Sequence, residues 1–195
     1  GIDSCFIVDN RIKKKHPRTE FNFSAITKGY GCDMTASMMR RNGCNDFMIE
    51  IGGDMAIAGK NPQGKPWRVM IDAPIDNDTS ITHSSAAIIE VSDCGIATSG
   101  NYRNFRKDKN GKKTGHTINP KTGHPVITST LSATVIAPNA MMADALATAC
   151  MAMPHNEALK MIEAIPSTSA MLITADSISG QWNIVTSSRF PKIIK

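Results

Sequence analysis

From Thr130 to Ala164 the chain runs through a β-branched apolar stretch and two helix-spaced stretches with no spacer between them. Thr130–Ala137 is rich in the branched and small apolar side chains that pack on a pleated surface, and it predicts a buried strand. Asn139 follows it. Its side-chain oxygen can take one of the free N–H groups at a helix start, which predicts a helix running to Met153 and ended by Pro154. His155 or Asn156 then caps a second helix to Ala164. A strand leading straight into two helices limits the fold to sheets that carry packed helices.

The rest of the chain supplies the strands. Residues 5–8 form a short apolar segment, followed by a basic turn ending at Pro17. Apolar residues at helical spacing predict a helix over 27–41, with Gly43 placed to stop it. Residues 47–51 alternate as a strand and run into the turn Gly52-Gly53-Asp54. Residues 55–58 and 67–71 read as two strands joined through Asn61-Pro62-Gln63-Gly64, and 86–91 and 95–98 as a pair around Ser92-Asp93-Cys94. A polar loop spans 99–125, and strands at 170–174 and 182–185 close the chain. Strands and helices mix without strict β-α alternation, which predicts an α+β fold: one domain with a mixed, mainly antiparallel sheet and packed helices. There is no internal repeat and no linker.

The 195 residues are enough for one sizeable core, and 41% hydrophobic with 20% charged residues is the balance of a globular protein. No apolar run approaches the roughly 18 residues of a membrane-spanning helix, and no signal peptide is visible. The chain starts at Gly1 rather than Met, which reads as a mature or engineered fragment. Net charge is +5, with basic clusters at 11–18 and 103–113 and Lys121 nearby. The first reads as a solvated face, while the second could attract a phosphorylated ligand. Only two Tyr, two Trp and six Phe are present, none interleaved with basic residues, so nucleic-acid binding is not expected. The five cysteines have no C-x-x-C spacing, which argues against zinc and a complete disulfide framework. Cys32 and Cys150 fit as small core residues.

Two readings fit Asp144 and Thr148, which stand one turn apart on one helix face among Ala and Met. Their oxygens could hold a hard cation such as Mg²⁺. Alternatively, backbone N–H groups satisfy the aspartate and Thr148 bonds back to the carbonyl of residue 144. The stretch 115–125 has glycines near its ends and two prolines, and could hold His116 rigidly as a base or be an ordinary hairpin loop. His124 is the weaker candidate. Thr98-Ser99-Gly100-Asn101-Tyr102-Arg103 and Lys28-Gly29-Tyr30 could each meet an anion. Neither Walker A nor G-x-G-x-x-G is present.

Taken in order, these motifs resemble the ApbE-type family of FAD:protein FMN transferases, long labelled thiamine-biosynthesis lipoproteins. The resemblance runs through Phe21-Asn22-Phe23-Ser24-Ala25-Ile26-Thr27-Lys28-Gly29-Tyr30, Ile51-Gly52-Gly53-Asp54 and Gly64-Lys65-Pro66-Trp67-Arg68-Val69. It continues in Thr98–Arg103, the His116 loop and Ala143-Asp144-Ala145-Leu146-Ala147-Thr148. It covers 1–195 as an ApbE-like, T-fold-related flavin transferase domain that lacks the family's N-terminal portion, which helps bind FAD.

The resemblance implies Mg²⁺-dependent transfer of FMN from FAD, as substrate, to a Thr or Ser of an acceptor protein, with release of AMP. It implies Asp144, Thr148 and the Ala25 carbonyl as metal ligands, His116 as the base, and Asn22, Lys28 and Ile118 as FAD contacts. The implied acceptors are subunits of membrane redox complexes of the Na⁺-pumping NADH:quinone oxidoreductase or Rnf type. The implied location is the periplasmic side of a bacterial cell envelope, lipid-anchored in the full-length protein. Ala147 departs from members with aspartate there, and Asn22 replaces a commoner aspartate. FAD hydrolysis to FMN and AMP, or flavin binding without turnover, are the alternative activities.

Overall fold

Period-two alternation along the strands sorts the apolar side chains onto two faces, and that sorting builds three layers. The computed structural model describes residues 2–74, 84–100, 105–107, 113–115, 117–119, 122–126, 128–176 and 181–194. Its elements are β1 (Cys5–Val8), β2 (Arg11–Lys14), α1 (Thr27–Arg41), β3 (Phe47–Ile51), β4 (Asp54–Ala58), β5 (Trp67–Asp72), β6 (Ser85–Val91) and β7 (Cys94–Gly100). Then come β8 (Phe105–Lys107), β9 (Lys113–Gly115), β10 (Thr130–Ala137), α2 (Ala140–Met151), α3 (His155–Ala164), β11 (Ser169–Ala175) and β12 (Trp182–Thr186).

The central sheet has the order β12-β11-β10-β7-β4-β3, and every described ladder is antiparallel. On one face Ala97, Ala133, Val135, Ala137, Ala170 and Leu172 pack under α2 and α3. Cys32 and Ala36 of α1 pack on Phe47, Ala56 and Ala58. The intervening residues Ile57, Ile96, Ile136, Met171 and Ile173 face the other way, against Val69, Ile71, Ala87 and Ile89 of the β5–β6 ribbon. The fold is α+β, as expected.

Local signals set the helix ends. Gly43, at φ 81°, donates its N–H to the Arg40 carbonyl, and Cys44 donates to Met39, closing α1 in a Schellman arrangement. Asn139 Oδ1 accepts the Met142 N–H at 2.8 Å and starts α2, which ends at Met151, two residues short of the expected end. α3 begins at His155 after Pro154, which gives no side-chain cap, while Asn156 Oδ1 accepts the Glu157 N–H at 3.0 Å within the first turn.

Strand partners differ from the expected ones. β4 pairs with β3 and β7, and β5 with β6, so the Asn61–Gly64 turn joins two separate sheets rather than a hairpin. The Ser92-Asp93-Cys94 turn likewise carries the chain from the ribbon to the sheet instead of pairing β6 with β7. The basic segment after β1 is itself a strand, β2, turned by Asp9 and Asn10 at φ 50° and 56°. Within the expected polar loop, β8 and β9 form a short ladder.

Candidate active site

The site begins where α1 and α2 start. The turn before α1 is held by Asn22, whose Oδ1 accepts the Ser24 N–H at 2.8 Å, and by Thr27 Oγ1 donating to the Phe23 carbonyl at 2.7 Å. No side chain of this turn caps α1. Asp144 of α2 supplies the missing acceptor: the Gly29 N–H donates to its Oδ2 at 3.2 Å. Asp33 of α1 returns the interaction, accepting the Ala140 and Met141 N–H groups at 2.9 Å each. Each helix therefore receives a carboxylate from the other at its N-terminus, and the positive ends of two helix dipoles converge. A methyl group on Gly29 would sit 2.3 Å from the Ala140 carbonyl oxygen, so glycine is what permits this approach.

Asp54 enters from the sheet. Gly52 and Gly53, at φ 57° and 91°, form the two-residue turn between β3 and β4 and set Asp54 at the head of β4. The side chain is only 1% exposed. Lys28 Nζ lies 2.8 Å from its Oδ2 and donates also toward the Gly52 carbonyl at 3.4 Å, while Oδ1 has no partner. Burial foremost pushes the Asp54 carboxyl up to about 6. The negative charge of Asp144 adds to that rise, and Lys28 opposes it.

Thr148 is half-buried one turn beyond Asp144, its Oγ1 3.3 Å from Ser99 Oγ on the helix-facing side of β7. Ala25 lies half-buried in the turn before α1. The cluster thus gathers Lys28, Asp54, Asp144, Ser99 and Thr148 around the start of α1. Asp144 is indeed met by a backbone N–H, but one from the other helix, and Thr148 meets Ser99 rather than its own helix. In the sequence Gly52-Gly53-Asp54 reads as a turn, and Asp33 carries no local signal.

Ile118 and His124 are exposed on a tight loop. Ile118 bridges to Pro125, Val126 N–H donates to Thr117, and Asn119 N–H donates to His124. His116, Arg103 and Lys121 lie outside the described residues. Asn22 is exposed. The half-buried thiol of Cys94 and the buried thiol of Cys150 are pushed up to about 11 and 12, chiefly by burial, so neither is a thiolate at neutral pH. A surface cavity of about 340 Å³ lined by Glu90, Cys94, Ile136 and Arg189 lies at the other end of the sheet and shares no residue with the cluster.

No group of three or more His, Cys, Asp or Glu gathers among the described residues. A cation here would meet carboxylate, hydroxyl and carbonyl oxygens, the donors of a hard ion. The unpartnered Asp54 Oδ1, beside a second buried carboxylate, fits such an ion.

The family model that matches residues 2–173 is that of the ApbE family. The chain belongs to the ApbE family. It is 35% identical over 176 residues to a FAD:protein FMN transferase of Vibrio cholerae serotype O1, covering 90% of this chain and 51% of the relative. Against the enzyme of the same name from Haemophilus influenzae it is 36% identical over 167 residues, 84% of this chain and 47% of the relative. The structure of the flavin transferase ApbE from Vibrio cholerae superposes with a TM-score of 0.80 at 34% identity, over 96% of this chain and 57% of that one. The ApbE protein of Thermotoga maritima shares the fold, with a TM-score of 0.79 at 24% identity over 96% and 58%. The chain spans about half the length of the curated relatives it matches.

Proposed function

We propose that this ApbE-family chain carries the metal-binding part of an FAD:protein FMN transferase. The observation that carries the reading is the meeting of two buried carboxylates, Asp54 and Asp144, at the convergent N-termini of α1 and α2. Helix N-termini favour phosphate oxygens, and the carboxylates favour a divalent cation that those oxygens can share. The names of the Vibrio and Haemophilus relatives support the choice of FAD as donor and a protein as acceptor.

In this reading Asp144, Thr148 and the Ala25 carbonyl hold Mg²⁺. The ion, when bound, neutralises the pyrophosphate of FAD and the charge that develops during transfer. An acceptor Thr or Ser oxygen bonds to the phosphorus on the FMN side, the phosphoanhydride P–O bond breaks, and AMP leaves with the bonding electrons. The hydroxyl proton passes to His116. The role of His116 rests on family resemblance; of the strands on either side of it in sequence, β7 ends at Gly100, which pairs with Ser132 of β10 beside Ser99. Asn22, Lys28 and Ile118 contact FAD. Acceptors are subunits of Na⁺-pumping NADH:quinone oxidoreductase or Rnf-type complexes, met at the periplasmic side of the cell envelope.

The test is incubation of the protein with FAD, Mg²⁺ and such a subunit, followed by denaturing electrophoresis. A flavin-fluorescent acceptor band is expected, lost with EDTA and reduced at least about a hundredfold in rate by His116→Ala. AMP release without acceptor labelling would replace transfer by hydrolysis.

A further inference from the structure

We propose that Asp54 gives its Oδ1 to the same divalent cation as Asp144, so that the ion takes a carboxylate from the sheet as well as from α2. The inference rests on the metal-dependent reading above. Its ground is an accounting of oxygens. Asp54 and Asp144 are 1% and 3% exposed. Lys28 and Gly29, consecutive residues of α1, reach one each: the ammonium meets Asp54 Oδ2 at 2.8 Å and the amide meets Asp144 Oδ2 at 3.2 Å. Asp54 Oδ1 is fully enclosed and no donor reaches it, and the Asp54 carboxylate lies within hydrogen-bond reach of the Asp144 carboxylate. A buried carboxylate oxygen without a partner is costly, and the charges are unbalanced as well. Two carboxylates against one half-exposed ammonium leave one negative charge, which a divalent ion would convert to one positive charge facing the substrate's phosphates.

Ala147, about one turn beyond Asp144 on α2, adds no ligand: it is fully buried in the apolar cluster with Ala97, Ala133 and Val135. α2 therefore provides one carboxylate, and the Gly52-Gly53 turn provides the second from the opposite wall. Lys28 then opposes the ion by charge: its ammonium sits on Oδ2, not Oδ1, and its 41% exposed side chain can turn toward an anionic ligand once the ion is bound.

Mn²⁺ alone serves as the probe, titrated into EDTA-treated protein and followed by electron paramagnetic resonance of the free ion and by thermal melting. Asp144→Asn is expected to abolish binding, and Asp54→Asn to weaken it about tenfold or more. Lys28→Met keeps both carboxylates and carries the test even if Asp54→Asn folds poorly. It should bind Mn²⁺ more tightly than wild type and show a larger Mn²⁺-induced rise in melting temperature. Wild-type affinity in Asp54→Asn, or no gain in Lys28→Met, overturns the role of Asp54 while leaving an ion on Asp144. Absence of Mn²⁺ binding by the wild type overturns both this inference and the metal-dependent reading. Failure of FMN transfer with binding intact touches only the proposed function.

Discussion

Asp54 shows how much a single carboxylate can set. Its carboxyl is raised from 3.8 to about 6, chiefly by burial. Between those values the folded, metal-free protein binds a proton that the unfolded chain has released, so stability falls as pH rises through this window. The contribution is fully present below about pH 4 and lost above about pH 6, and it amounts to roughly 2–3 kcal/mol. Melting curves of EDTA-treated protein from pH 4 to 7.5, read as the difference between Asp54→Asn and wild type, should show the variant's advantage growing with pH. A pH-independent difference would exclude a raised carboxyl pKa at this position. At the same scale, Asp144 and Thr148 were legible from the sequence because four-residue spacing fixes their common face. The depth of Asp54 was not. A Gly-Gly-Asp turn reads as surface, and only the packing of α1 against β4 encloses it.

Helix limits were legible because the residues that end helices act locally. Gly43 needs only a positive φ, and Asn139 needs only the next turn of its own helix. Strand partners were not legible, because pairing depends on residues far apart in sequence, and short turns such as Asn61–Gly64 serve a crossing as well as a hairpin. Nor did apolar spacing in α1 show which stripe faces inward. Gly29, Cys32 and Ala36 are buried, while the larger Tyr30, Met34 and Met38 are exposed. Close approach to α2 and β4 selects the small residues. Gly29→Ala should therefore destabilise by about 1–3 kcal/mol or more, since its methyl group meets backbone that cannot move without shifting α2. Gly31→Ala meets only the tip of Ile51 at 3.1 Å and gains up to about 1 kcal/mol of helix propensity. Urea unfolding of the two variants side by side checks the contrast, and equal effects would mean that α1 is not seated on α2 as described.

Across the whole molecule, stability is concentrated between the layers. The sheet is covered by helices on one face and by the β5–β6 ribbon on the other, and its interior strands β10 and β11 are buried almost end to end. The β1–β2 hairpin has no such cover: residues 6–18 are exposed throughout, and Ile7 is 80% accessible. Apolar content alone could not separate these segments, since residues 5–8 are apolar throughout, as residues 170–173 are. What separates them is whether another layer lies over them. Leu172→Ala, in the cluster beneath α2 and α3, should cost about 2–5 kcal/mol, the sum of lost transfer energy and an unfilled cavity. Ile7→Ala removes as many side-chain atoms but gives up little buried surface, and should change stability by less than about 0.5 kcal/mol. Urea unfolding of both variants of the 195-residue chain measures the contrast directly. If Ile7→Ala costs as much as Leu172→Ala, the hairpin is packed against something in solution, and the three-layer division of stability is wrong.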